Sequence, residues 1–474
     1  MSTENNKITF LSNYFTSKAI LLYVMLLSIC SVLFINYSLP LIWILFGLIE
    51  VISFFYFSNI LTIKWAHISE KEFKKRVFLT SLTIRILYVV IIYFFFEYMT
   101  GKPFEFSAAD SEGYHNEALW IIDLLGQGRF SAYFTEYTRD YGDRGYPLFL
   151  FGIYFIFGSS IIIPRLVNAF LGAWMSIITY KLVKRNFGES PARIAAILTM
   201  LLPNLIYYSG LTLKETLMVF LFVAFIERAQ YFLDSNRKRL PILITAIMLG
   251  TSLFFFRTVL ATSAWLSIFV YITFNKKIGI PIVIRAIFLV IFVLISYKSL
   301  PDQIVSEVNY YILNSENNLE SQMIHFSNRT GGNKYAQFAS KTILSPLVLI
   351  GPIPTLVDTA QPNPMMINGA MFVRNVFVFF AIFGTIIIFR KKLFLQYSLL
   401  FITLFSYLFI LSFSGFALSE RYHLPSIPFL IIFASYGISE LNKKHFKYYI
   451  PYLVGIFVLV IAWNWFKLAG RGLI

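Results

Sequence analysis

The sequence predicts an all-α, polytopic membrane protein, and three observations carry that expectation. Of its 474 residues, 58% are hydrophobic and only 14% charged, with a mean hydropathy of +0.70, whereas soluble domains carry about 25% charged residues. Phe occurs 52 times and Tyr 29 times, a load suited to a bilayer and its interfacial aromatic belts. Continuous apolar runs of the roughly 20 residues needed to cross a ~30 Å hydrocarbon core recur along the chain. Their continuity excludes the alternating pattern of a β-barrel. The lone cysteine, Cys30, excludes a disulfide framework and a cysteine metal site. The net charge of +16 reads as basic loops beside a membrane rather than as a nucleic-acid surface.

The apolar runs give about thirteen spans, at 19–37, 39–57, 78–96, 163–182, 192–208, 211–231, 241–256, 258–274, 280–299, 370–389, 395–413, 422–438 and 450–466. The first, preceded by a polar stretch up to Lys18 and lacking a small-residue cleavage site, reads as a retained signal anchor. A cytoplasmic N-terminus places Lys71, Lys74, Lys75 and Arg76, then Lys181, Lys184 and Arg185, then Arg237, Lys238 and Arg239, and finally Arg390, Lys391 and Lys392 in short inward segments. The positive-inside rule is strongest in such loops. This parity requires that Tyr146 to Phe157 not cross the membrane, so it is expected as an interfacial or re-entrant helix. The expected location is a bacterial inner membrane.

Four regions follow. Residues 1–77 form a two-span extension and 78–299 a transmembrane catalytic core with an external loop at 97–162. Residues 300–369 form a second external loop or cap, and 370–474 a C-terminal bundle. The first external loop holds nine of the chain's 24 acidic residues, from Glu97 to Asp143. Within it, Asp110-Ser111-Glu112-Gly113-Tyr114-His115 joins carboxylates, a histidine and a phenol outside the third span, where a reaction would meet a lipid-borne substrate. On a helix Asp110 and Tyr114 share a face, as do Glu112 and His115. The plainer alternative makes Asp110 or Ser111 a helix cap with Glu112 in the first turn. Downstream, Asp143 and Arg144 either belong to a solvated turn or face the same cavity as Asp110, with Pro147 opening the interfacial helix.

Four features together resemble the GT-C (C-type) integral membrane glycosyltransferases, in the branch of protein O-mannosyltransferases and aminoarabinose transferases. They are the external D-S-x-x-Y-H motif, Gly145-Tyr146-Pro147-Leu148-Phe149, Pro164 to Gly172 at the start of the next span, and Arg421-Tyr422-His423-Leu424-Pro425. The chain departs from that pattern in having two additional spans before the Asp motif, where those relatives have one, and no soluble domain after the last span. The resemblance implies transfer of a sugar from a polyprenyl-phosphate donor to a glycan, lipid or protein acceptor, with membrane lipids and no nucleic acid as partners. It makes Asp110 the general base, with Glu112, Tyr114, His115, Asp143 and Arg144 supporting the acceptor site. The intramembrane charges Lys214, Arg257, Arg421 and His423 all fall on the expected outer side and would bind the donor phosphate. Glu215 either shares that role or pairs locally with Lys214 or Arg257, and Arg329 in the second loop is a further candidate. Arg85 and Arg374 read as snorkelling or structural. If a divalent metal such as Mg or Mn takes part, Asp110, Glu112 and His115 would ligate it. Two other classes compete. A surface-polysaccharide polymerase or ligase would rest on Arg329, Arg421 and His423, and a transporter or flippase would need charges near the bilayer midplane.

Overall fold

Periodicity and propensity act together here, because a chain this apolar must satisfy every backbone N–H and C=O internally. A computed structural model describes residues 10–136, 141–235, 239–274, 281–299, 346–412, 419–469 and 472–473. Among the described residues it is helical, without strands. The helices are α1 (Asn13–Leu33), α2 (Leu41–Lys64), α3 (Glu70–Thr100), α4 (Ala109–Gly126), α5 (Ala132–Glu136), α6 (Gly145–Phe157), α7 (Ile162–Phe187), α8 (Glu189–Leu201), α9 (Pro203–Ser209) and α10 (Glu215–Asp234). They continue as α11 (Leu240–Ser252), α12 (Thr258–Phe274), α13 (Ile282–Ser299), α14 (Pro362–Met366), α15 (Asn368–Arg390), α16 (Ser398–Ser412), α17 (Glu420–His423), α18 (Ile427–Ser439) and α19 (Tyr449–Ala469).

Every expected window falls on helix, but the windows are not equivalent. Seven helices among the described residues are long and apolar enough to cross a membrane: α1, α2, α3, α7, α10, α15, and α19 with the 3₁₀ turn before it. The pair α8–α9, bent by 49°, makes an eighth if it is one span. The windows at 241–256, 258–274 and 395–413 fall on shorter apolar helices, 280–299 falls on α13, and 422–438 on α17 and α18 joined by a 3₁₀ turn. The chain is therefore an α-helical integral membrane protein. Helix α6 has 13 residues, about 20 Å at 1.5 Å per residue, which is short of a ~30 Å core.

The bend between α8 and α9 has a local cause. Pro203 has no N–H, so the carbonyl of Thr199 loses its helical partner. Arg85 of α3, fully buried, donates instead to Thr199 O at 3.2 Å and Met200 O at 3.0 Å. It also reaches Ser81 Oγ at 2.5 Å. Gly172 of α7 leaves the passage, since a Cβ there would stand 2.6 Å from Arg85 Nε. Arg85 is thus structural rather than snorkelling.

The N-terminal helices pack onto the C-terminal ones. Tyr23 donates to Asn368 Oδ1, the Ala370 N–H donates to Glu50 at 2.9 Å, and Phe15 meets Phe380 and Tyr449 edge-on. The helix ends expected to face inward gather at one end of the bundle. Lys184 pairs with Glu70 at 2.6 Å, Arg193 with Glu189 at 2.7 Å and Lys391 with Glu440 at 2.9 Å. Phe187 stacks between Tyr397 and Tyr436.

Candidate active site

The other end of the bundle holds the loop after α3 that is expected to be external. Helix α4 begins at Ala109 with Ala108 as N-cap and no side-chain cap bond. Neither Asp110 nor Ser111 caps it: Ser111 donates to Glu105, and Asp110 accepts from Arg421. The four-residue spacing carries Tyr114 to the same side as Asp110, and its hydroxyl donates to Asp143 at 2.9 Å. The Tyr114 ring meets Tyr146 of α6 at 5.2 Å. Gly145 lets α6 start against the turn before α12, where a Cβ would sit 2.8 Å from Phe255 O.

Loop 210–214 is anchored from α7. Arg165, fully buried, donates to Thr212 at 3.1 Å and to Pro103 O, and Asn168 donates to Leu211 O at 3.1 Å. This fixes Lys214 and Glu215 at the start of α10. Lys214 donates to Asp143, to Gly142 O at 3.1 Å and to Phe256 O at 2.7 Å, so its three N–H donors are committed. Burial opposes charge on Asp143, but Lys214 and the Tyr114 hydroxyl outweigh it and hold this carboxyl below its usual range.

Glu215 is fully buried and central. Arg421 bridges it to Asp110, donating Nε to Glu215 and Nη1 to Asp110. Arg257 stands 3.6 Å from the same carboxylate and 4.2 Å above the Tyr422 ring. The Tyr407 hydroxyl, 3.5 Å from Arg257, donates to Tyr422 O at 2.6 Å. Asp110, Arg421, Glu215 and Arg257 form one ion-pair network, and Tyr114, Asp143 and Lys214 form a second that adjoins it through the consecutive residues Lys214 and Glu215, with the cations in the protein interior rather than on separate lipid-facing surfaces. No family model, curated protein or solved structure matches this chain.

Other expected residues lie elsewhere. Glu112 pairs with exposed Lys102 at 3.3 Å, and His115 Nδ1 meets the Tyr154 hydroxyl at 2.9 Å. At about 100° per residue, Asp110 points away from the side of α4 that Glu112 and His115 share. They make no metal set, and no group of three or more His, Cys, Asp or Glu side chains among the described residues does. His423 is fully buried against Arg374 at 2.8 Å, because two residues along a helix turn it about 200° from Arg421. Arg374, expected as snorkelling or structural, is also buried there. The Arg144 carbonyl accepts from Tyr133 at 2.8 Å. Arg329 lies outside the described residues.

A cavity of about 360 Å³ adjoins the network, lined by Asp110 and Arg421 together with Glu105, Glu420, Tyr207, Tyr208, Trp463 and Lys467. Lys214 and Arg257 do not line it. Sequence reasoning did not single out Glu105, Glu420, the tyrosine pair or the α19 residues. Glu420 is adjacent to the arginine motif, but only the fold brings α9 and α19 to the same space. Asn204 donates to Glu420. Burial raises the Glu105 and Glu420 carboxyls, against the lowering effects of Ser111 on the first and of Arg374 and Asn204 on the second.

Proposed function

We propose that the protein is an integral membrane glycosyltransferase that moves a sugar from a polyprenyl-phosphate donor to an acceptor hydroxyl on the external face. The supporting observation is the placement of Asp110 at the cavity, held by Arg421, which buried Glu215 holds in turn. In a single displacement, the acceptor oxygen bonds to the anomeric carbon, Asp110 takes the hydroxyl proton, and the bond to the carrier phosphate breaks. The electron pair leaves with the phosphate, and the anomeric carbon is inverted. Of the four residues expected at the donor phosphate, Lys214, Arg257, Arg421 and His423, only Arg421 lines the cavity, and in this reading it meets the leaving group. Lys214 and Arg257 stand behind it, holding Asp143 and Glu215. This reading sets the chain in a bacterial inner membrane with its N-terminus cytoplasmic.

The test is Asp110→Asn, which keeps size but removes the basic carboxylate. The expected outcome is a fall in single-turnover rate of about 10²-fold or more with donor affinity little changed. Because Asn also weakens the bond to Arg421, thermal stability is measured alongside. A protein as stable as wild type that transfers at near-normal rate ends the general-base assignment and favours an Arg421-centred polymerase or ligase acting on lipid-linked oligosaccharides.

A further inference from the structure

At the end of the bundle opposite Asp110, a second cavity of about 400 Å³ opens between the start of α3, the last turns of α7 and the second half of α10. Its lining brings four cations, Lys181, Lys184, Arg185 and Arg228, against two carboxylates, Glu70 and Glu227. Both carboxylates are already engaged. Glu70 accepts from Lys184 at 2.6 Å and from Lys74 at 3.2 Å, and nearly buried Glu227 accepts from Arg185 at 2.6 Å, with Arg228 at 3.4 Å. Lys181 has no acidic partner among the described residues. Cations thus converge in a concave site in excess of the groups that neutralise them, an arrangement that an anion stabilises.

An exposed apolar surface lies further along α7. Lys181 follows Phe170 and Trp174 on one face of α7, at spacings of four and seven residues. Those two rings are 44% and 42% exposed although the helix spans the membrane. Phe78 of α3 and Phe220 of α10 flank them, with ring centroids at 5.7 Å from Phe170 and 5.4 Å from Trp174. A cationic pocket at the helix ends, with an exposed aromatic pair further along the same helix toward the bilayer centre, matches a molecule with an anionic head and an acyl tail. We infer that this end of the protein is a binding site for an anionic phospholipid, its phosphate held by Lys181 and Arg228 and one acyl chain laid along Phe170 and Trp174. The site is independent of the proposed transfer reaction.

The test uses the full-length protein, delipidated and exposed to vesicles of phosphatidylglycerol, vesicles of phosphatidylcholine, or inorganic phosphate. Retained lipid is read by native mass spectrometry and stability by thermal unfolding. Preferential retention of phosphatidylglycerol is expected. It should fall roughly thirtyfold in Lys181→Gln/Arg228→Gln, since each basic residue near an anionic headgroup contributes several-fold. This variant leaves the Arg185–Glu227 and Lys184–Glu70 pairs in place, and its unfolding temperature without lipid should stay close to wild type. Trp174→Ala should weaken retention while leaving the response to inorganic phosphate unchanged. Equal retention of the two lipids, or a preference that survives the double substitution, overturns the site. Stabilisation by inorganic phosphate that equals that by phosphatidylglycerol overturns the lipid assignment.

Discussion

Arg421 uses the fork of its guanidinium. Two separate nitrogens, Nε and Nη1, reach carboxylates on different helices, Glu215 and Asp110, in one plane. Arg421→Gln leaves fully buried Glu215 with Arg257 at 3.6 Å as its remaining ion pair. Breaking a buried pair costs about 3–5 kcal/mol. Adding Glu215→Gln should recover much of that loss in thermal or denaturant unfolding, and additive losses would show that the two residues are not coupled. A second prediction concerns His115, which burial lowers below its ordinary 6.5 although Glu112 opposes the shift. The fold prefers the neutral ring, so the unfolded chain takes up the proton first as pH falls. The contribution is intact above pH 6.5 and lost on acidification below it. The stability difference between wild type and His115→Gln should therefore narrow from pH 7.5 to 5.5, and a constant difference would deny the linkage.

Among the elements, the α8–α9 break gives the sharpest test because one missing N–H explains it. Arg85→Met strands the carbonyls of Thr199 and Met200, at about 1–3 kcal/mol for each buried unsatisfied group. Pro203→Ala returns an N–H to Thr199 O and should partly rescue Arg85→Met in thermal unfolding, while gaining little in the wild type. Absence of rescue would mean that Arg85 acts through something other than the broken ladder. Element lengths also explain which expectations transferred. Runs such as 39–57 and 370–389 became long helices because a bilayer-length apolar stretch has no other way to satisfy its backbone. The windows 192–208 and 422–438 were broken by Pro203 and Pro425, whose effect on direction depends on what packs beside them.

For the whole molecule, ion pairs segregate into two ends, with the Asp110–Arg421–Glu215 network at one and Glu70–Lys184–Glu189 at the other. Topology can be read by labelling single cysteines in a Cys30→Ser background. Ser111 is buried, so the external probe belongs at exposed Gln127 and the internal one at exposed Lys391. Membrane-impermeant reagent applied from outside should reach Gln127→Cys and not Lys391→Cys. Reversed labelling would put the proposed site on the cytoplasmic face and remove the case for an outward-facing carrier-lipid enzyme. The sequence by itself determined the solvent, the helical class, the sidedness pattern of the basic loops and the Asp110–Tyr114 face, because hydropathy and helical period are local properties. Only the tertiary structure decided that Lys214 is committed to Asp143, that His423 turns away to Arg374, and that Glu105, Glu420 and α19 share a cavity with Asp110. Those outcomes depend on helix rotation and packing between segments 49 to 311 residues apart, and no local pattern encodes them.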